Sequence, residues 1–186
     1  LTLKEGNIYG LVGNNGSGKT MLMKCMCGFI RPTEGTVESN GKVIGRDVDY
    51  LPDAGVIIET PGFIPYYSGF QNLKVLAGIK NKISAKEIRE AIQTVGLDPD
   101  LKLPVKKYSL GMRQRLGLAQ AIMENPSVLI LDEPMNGLDK NGVEEIRKLL
   151  LFMKDERKII VIASHNAEDI RVLCDEVHEM EQGELI

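Results

Sequence analysis

The chain has no tryptophan, five tyrosines, four phenylalanines and only three cysteines in 186 residues. Three cysteines without zinc spacing exclude a disulfide scaffold and a structural zinc site. Cys25 and Cys27 stand two apart on a predicted helix and point to different faces, so buried or idle thiols in a reducing cytosol are expected. No apolar run approaches the roughly twenty residues of a membrane span, and no signal peptide is visible. Neither sign of charge dominates: 23 basic against 26 acidic residues leave a net charge of −3. That balance gives no bulk attraction to nucleic acid or to an anionic membrane, and no nucleic-acid partner is expected. No internal repeat or low-complexity tract stands out. The chain opens at Leu1, in what reads as the middle of a strand, and further sequence upstream is expected. What remains, 43% apolar and 26% charged, is an ordinary globule with ample core, read as a single domain over 1–186.

The strongest local signal is Gly13-Asn14-Asn15-Gly16-Ser17-Gly18-Lys19-Thr20, which fits G-x-x-x-x-G-K-[ST]. Asn7 to Val12 before it reads as a buried strand, and Met21 to Cys27 after it as a helix stopped by Gly28. Strand, glycine loop and helix is the order that lets backbone N–H groups close around phosphates at a helix N-terminus. Lys19 is placed to reach the β- and γ-phosphates, and the Thr20 hydroxyl to ligate Mg²⁺. A nucleoside triphosphate is the predicted ligand.

Val128-Leu129-Ile130-Leu131-Asp132-Glu133-Pro134 reads as a central parallel strand ending in two carboxylates. Carboxyl ends of parallel strands are where ligands bind in open α/β sheets. Asp132 there can hold Mg²⁺ beside Thr20, and Glu133 can polarise an attacking water. Ile159 to Ala163 is another buried strand, with His165 just past its end. His178 has no motif around it and reads as a surface residue. Ser109 reads as the N-cap of a helix in which Met112, Leu116, Ala119 and Met123 keep helical spacing. On spacing alone this is an ordinary capped helix, whose N-terminus could also receive an anion.

Alternating strands and helices predict a mostly parallel central sheet. Two pieces interrupt it. Thr36 to Ile44 reads as a hairpin with a type I′ turn at Asn40-Gly41, part of a small antiparallel lobe. Over about 70–124 strand signals vanish and an inserted helical lobe is expected, broken at Asp98-Pro99 and Leu103-Pro104. Val143, Ile146, Leu149, Leu150 and Met153 make the apolar stripe of a covering helix, with Glu144, Glu145, Arg147 and Lys148 outward.

Phosphate loop, Ser109-Leu110-Gly111-Met112-Arg113-Gln114-Arg115, Leu131-Asp132-Glu133-Pro134, Asn136-Gly137-Leu138-Asp139 and Ser164-His165 occur in this order. From about Leu3 to Leu185 the chain resembles the nucleotide-binding domain of an ATP-binding cassette (ABC) transporter. Ile58-Glu59-Thr60-Pro61-Gly62-Phe63 and Tyr108 to Met112 resemble the bacterial bacitracin and lantibiotic resistance-type exporters. The resemblance implies the P-loop NTPase fold and an ATP-hydrolysing subunit that uses ATP and Mg²⁺. It also implies a place at the cytoplasmic face of the membrane and power supplied to a separate permease, with a peptide antibiotic as possible cargo. The alternative is a soluble ABC-type ATPase outside transport.

In that family two cassettes, identical or different, dimerise head to tail around two ATP molecules. Gly13, Asn14, Asn15, Gly16, Ser17, Gly18, Lys19 and Thr20 would then bind phosphate in cis. Ser109 and Gly111 would bind the γ-phosphate in trans, and Asp139 would bridge to the other subunit. Glu133 would be the general base, Asp132 a Mg²⁺ ligand, and His165 a holder of the γ-phosphate and water. Leu110, Met112 and Asn136 depart from the usual glycine, glutamine and serine. Glu59 stands where glutamine normally reaches Mg²⁺; a carboxylate there can still ligate it, and is expected to raise the pKa of Glu133. The ring that stacks on adenine would lie before Leu1. Phe63, Tyr66, Tyr67 and Phe70 follow Glu59, where the family receives a permease helix. They either pack the helical lobe on the core or meet that partner, Phe63 and Tyr66 being the better placed.

Overall fold

Three largely apolar strands build the centre of the molecule: β1 (Ile8–Val12), β5 (Val128–Asp132) and β6 (Ile159–Ala163), almost wholly buried. The computed structural model describes residues 1–186. With β4 (Ala54–Ile57), β7 (Glu176–Glu181) and β8 (Glu184–Leu185) these strands form one sheet in the order β4-β5-β6-β1-β7-β8. Every pairing is parallel except the terminal β7–β8 hairpin. Side chains alternate between faces with the period of two that a pleated strand imposes. Ile8, Ile160 and Ile162 enter a core of 24 buried residues, whereas Tyr9, Val161 and Ala163 enter a second of seven on the opposite face. Burial on both faces is why these strands are continuously apolar. The charged residues of β7 fit its place near the sheet margin.

The helices follow the sequence signals. α1 (Lys19–Cys27) covers the smaller core with Met23 and Cys27 and ends at Gly28 in the left-handed conformation. β2 (Glu38–Ser39) and β3 (Lys42–Val43) form the separate antiparallel pair. Asn40 and Gly41 both have positive φ, 51° and 74°, as the predicted type I′ turn requires. Between β4 and β5 lie only helices: α2 (Gly69–Lys80), α3 (Ala85–Thr94), a 3₁₀ turn over Val105–Lys107, and α4 (Leu110–Ile122). α2 begins with a reciprocal capping box between Ser68 and Gln71. α5 (Lys140–Asp155) and α6 (Ala167–Leu173) complete the fold.

Three expectations are corrected. Residues 1–4 form no strand; the Lys4 amide instead donates to the Tyr9 hydroxyl at 2.7 Å. Arg147 does not point outward with its charged neighbours on α5. It is 7% exposed, and Asp169 of α6 pairs with it and offsets part of the cost of burying its charge. His178 is half-buried, its ring stacked on Tyr9 with centroids 6.2 Å apart and an interplanar angle of 16°. Burial pushes the Cys27 and Cys174 thiols up to about 12, which keeps both protonated and unreactive.

Candidate functional site

The parallel strands deliver their carboxyl ends to one edge of the sheet: Val12 before the phosphate loop, Asp132 at the end of β5, and Ala163 before Ser164 and His165. There a cleft of about 350 Å³ is lined by Asn15 to Met21 together with Asp132, Glu133 and His165. Thus residues from three separate sequence motifs converge around one space.

The loop's shape is set by close approach. Gly13 has φ +142°, and a β-carbon there would run into the Met180 carbonyl oxygen of β7. Lys19 is only 7% exposed, and its ammonium donates to the carbonyls of Gly13 at 2.7 Å and Asn14 at 3.2 Å. The Ser17 hydroxyl is buried in the loop without a protein partner. A polar, glycine-bounded concavity with a buried cation suits an anion of phosphate size.

Thr20, at the start of α1, donates its hydroxyl to Asp132 at 3.0 Å. Next to Asp132, Glu133 is held in the left-handed region, φ 49°. The Glu133 Oε1 accepts from the His165 backbone N–H at 3.0 Å and lies 3.5 Å from His165 Nε2. The Glu133 backbone N–H donates to the Ala163 carbonyl at 2.9 Å. Burial raises the Glu133 pKa; the nearby His165 and Lys19 pull it down, while Asp132 raises it further. The like charge acting on Glu133 is therefore Asp132 and not Glu59, a correction to the sequence-based expectation. A carboxylate with a raised pKa beside a positioned imidazole is a stronger proton acceptor than an ordinary carboxylate.

The other candidates stand elsewhere. Glu59, with φ 61°, is outside the cleft lining and pairs with Lys24 of α1 at 2.6 Å. Ser109 is exposed and caps α4 by accepting from the Met112 N–H at 3.1 Å. Gly111 and Leu110 pack on the following loop: a β-carbon at Gly111 would lie 2.9 Å from the Gly137 carbonyl, and one at Gly137 would strike the Leu110 side chain. Asp139 caps α5, accepting from the Gly142 N–H at 3.0 Å. Phe63 and Phe70 pack against the larger core, whereas Tyr66 is 73% exposed.

Sequence reasoning gave Gln114 no role. Its side-chain amide donates to the carbonyls of Glu133 and Pro134, both at 3.0 Å, fastening α4 to the Glu133 turn. A glutamine shortly after the capped helix start offered no signal of a partner nineteen residues away.

Residues 1–136 match the family model described as ABC transporter. The chain is also 45% identical over 184 residues to an ABC transporter ATP-binding protein, YybJ, of Bacillus subtilis (strain 168), covering 99% of this chain and 84% of that protein. This chain belongs to the ABC transporter family. It is an ATP-binding, ATP-hydrolysing cassette of that family. It is 42% identical to the bacitracin transport ATP-binding protein BcrA of Enterococcus faecalis, over all of this chain and 61% of that one. To the lantibiotic transport ATP-binding protein SrtF of Streptococcus pyogenes it is 36% identical, over all of this chain and 80% of that one. Among solved structures, a dimeric bacterial ABC transporter cassette superposes with a TM-score of 0.88 at 22% identity, over 100% of this chain and 85% of that chain. The same cassette in a post-hydrolysis state with ADP and Pi gives 0.87. At that identity the likeness establishes the fold, the P-loop NTPase cassette.

Proposed function

We propose that this cassette binds Mg·ATP in the cleft, closes on a second cassette and hydrolyses ATP to drive a membrane permease. The observation that carries the proposal is the convergence of Lys19, the Thr20–Asp132 pair and the His165-bound Glu133 on one cleft. Lys19 and the loop amides would bind the β- and γ-phosphates, Lys19 exchanging its two carbonyl partners for phosphate oxygens. The Thr20–Asp132 pair fits a hard cation that takes its remaining ligands from phosphate and water. Mg²⁺ held there would neutralise charge on the β- and γ-phosphate oxygens.

Glu133 takes the proton of the attacking water, and its raised pKa makes it a better acceptor than an ordinary carboxylate. The His165 N–H fixes that carboxylate, while the imidazole faces the same space to orient water and γ-phosphate. Ser109 and Gly111, on the exposed end of α4, are available to a nucleotide held by the facing cassette, identical or different. Asp139 caps α5 just past the Gly137 loop that packs on Gly111, and would lie along that same contact. Glu59 would leave Lys24 to approach Mg²⁺ as the cassettes close, and so report the state of the permease.

No helix of the chain is long and apolar enough to cross a membrane. In this reading the cassette would attach to the cytoplasmic face of the membrane through its permease. Tyr66 supplies an exposed ring for that contact, and a groove of about 500 Å³ adds the exposed side chains of Phe29, Tyr50 and Ile79. Likeness to the bacitracin and lantibiotic proteins favours a peptide antibiotic as cargo. The test is co-expression with a candidate permease: co-purification and permease-stimulated phosphate release support the account. Phosphate release with no membrane partner retained would favour an ATPase outside transport.

A further inference from the structure

α5 and α6 are joined by a buried ion pair outside the nucleotide cleft. Arg147 Nε and Nη2 donate to Asp169 Oδ1 at 3.0 and 2.6 Å, and both residues are buried. The other carboxylate oxygen, Asp169 Oδ2, accepts from the Ser164 hydroxyl at 3.3 Å. Ser164 Oγ in turn accepts from the Asn166 N–H at 3.1 Å, so Asp169 holds Ser164 directly and Asn166 through the Ser164 hydroxyl, on either side of His165. Asn166 also caps α6 through the Glu168 N–H, 2.9 Å away. The backbone N–H at the centre of this turn belongs to His165 and rests on Glu133 Oε1.

We propose that Arg147 and Asp169 are positioning residues for hydrolysis, acting through Ser164 to hold the His165 turn against Glu133. The inference rests on the reading of Glu133 and His165 given above. A buried ion pair is weak evidence for stability, since apolar residues of similar volume often replace one without loss. Its value here is geometric. One Asp169 oxygen anchors to α5, and the other reaches the turn. Ser164 is 5% exposed, so no bulk water replaces its hydroxyl when that link is removed. Without the relay the turn keeps its chain connection to β6 but loses the tie that fixes its two sides. The Glu133 carboxylate then loses a fixed donor, although Lys19 and the phosphate loop are untouched. The consequence is a loss in chemistry without a loss in ATP binding.

The experiment measures kcat, KM, ATP affinity and thermal midpoint for the full chain and five variants. Ser164→Ala is expected to lower kcat about tenfold, with KM and ATP affinity unchanged within about twofold. Ser164→Thr, which keeps the hydroxyl, is expected to retain most of the wild-type kcat. The double variant Arg147→Met with Asp169→Leu removes the anchor without leaving an unpaired buried charge. It should show the same kcat loss, and adding Ser164→Ala to it should produce no further loss. Full kcat in Ser164→Ala, additive losses, or a parallel fall of ATP affinity and thermal midpoint would overturn the relay. Glu133→Gln is the control for the underlying reading: if it turns over ATP like wild type, that reading fails, whatever the Ser164 variants do.

Discussion

The Thr20 hydroxyl donates to the Asp132 carboxylate across 3.0 Å, joining the first turn of the phosphate-loop helix to the end of β5. The two residues are 112 positions apart, and the parallel sheet brings them together. Two hard oxygen donors already in contact are arranged to share a cation. Thr20→Val keeps the shape and removes the hydroxyl. The Mg²⁺ concentration for half-maximal turnover should rise about tenfold, or about 1.4 kcal/mol, comparable to one hydrogen bond to a charged group. Titrating Mg²⁺ against phosphate release at saturating ATP measures it. An unchanged midpoint would remove Thr20 from the ion's coordination.

Glu133 must be ionised to accept a proton, and burial holds its pKa above the ordinary carboxylate range. Turnover should therefore fall on acidification, with the acid limb centred above the titration of an ordinary glutamate. His165 lowers that pKa, so His165→Ala should move the limb to higher pH as well as slowing turnover. The pH profile of kcat/KM separates the two effects. A limb shifted to lower pH would contradict the assigned electrostatics.

Gly13 and Gly16 both lie in the phosphate loop, yet they should tolerate alanine differently. At Gly13 the added carbon meets the Met180 carbonyl, whereas at Gly16 it meets nothing within 4 Å. Both substitutions carry backbone strain of about 1–3 kcal/mol, and Gly13→Ala adds the collision. Gly13→Ala should lose more thermal stability and more ATP affinity, read by a melting curve and a nucleotide titration. Equal losses would show that the Met180 contact is not limiting.

The motifs were legible because each is a contiguous run whose chemistry is local: glycines before Lys19, aliphatics before Asp132, a cap at Ser109. The parallel sheet followed from aliphatic runs such as Ile159 to Ala163, buried on both faces. Arg147 was misread because its neighbours on α5 are charged, and nothing near it announces Asp169, 22 residues away. The motif position of Glu59 carries no information about its pairing with Lys24, 35 residues earlier. Long-range side-chain pairing is written in the folded geometry rather than in spacing.

Glu59 pairs with Lys24, a partner that the proposed cycle would have it exchange for Mg²⁺. Its carboxylate is 64% exposed, so breaking the pair should change stability by no more than about 1 kcal/mol. Glu59→Gln should leave the thermal midpoint nearly unchanged while weakening permease-coupled turnover several-fold. Measuring basal and permease-stimulated phosphate release decides it. Unchanged values of both would make Glu59 a surface residue without a part in the cycle.

Ser109 and Gly111 lie outside the cleft formed by their own chain, so only a second, head-to-tail cassette would bring them to a nucleotide. The most direct measurement is the molar mass in solution of the Glu133→Gln protein, with and without ATP. ATP should convert monomer to dimer, and a further Ser109→Arg substitution at the α4 cap should abolish the change. A Glu133→Gln protein that binds ATP and stays monomeric with or without Ser109→Arg would contradict a self-assembled nucleotide sandwich.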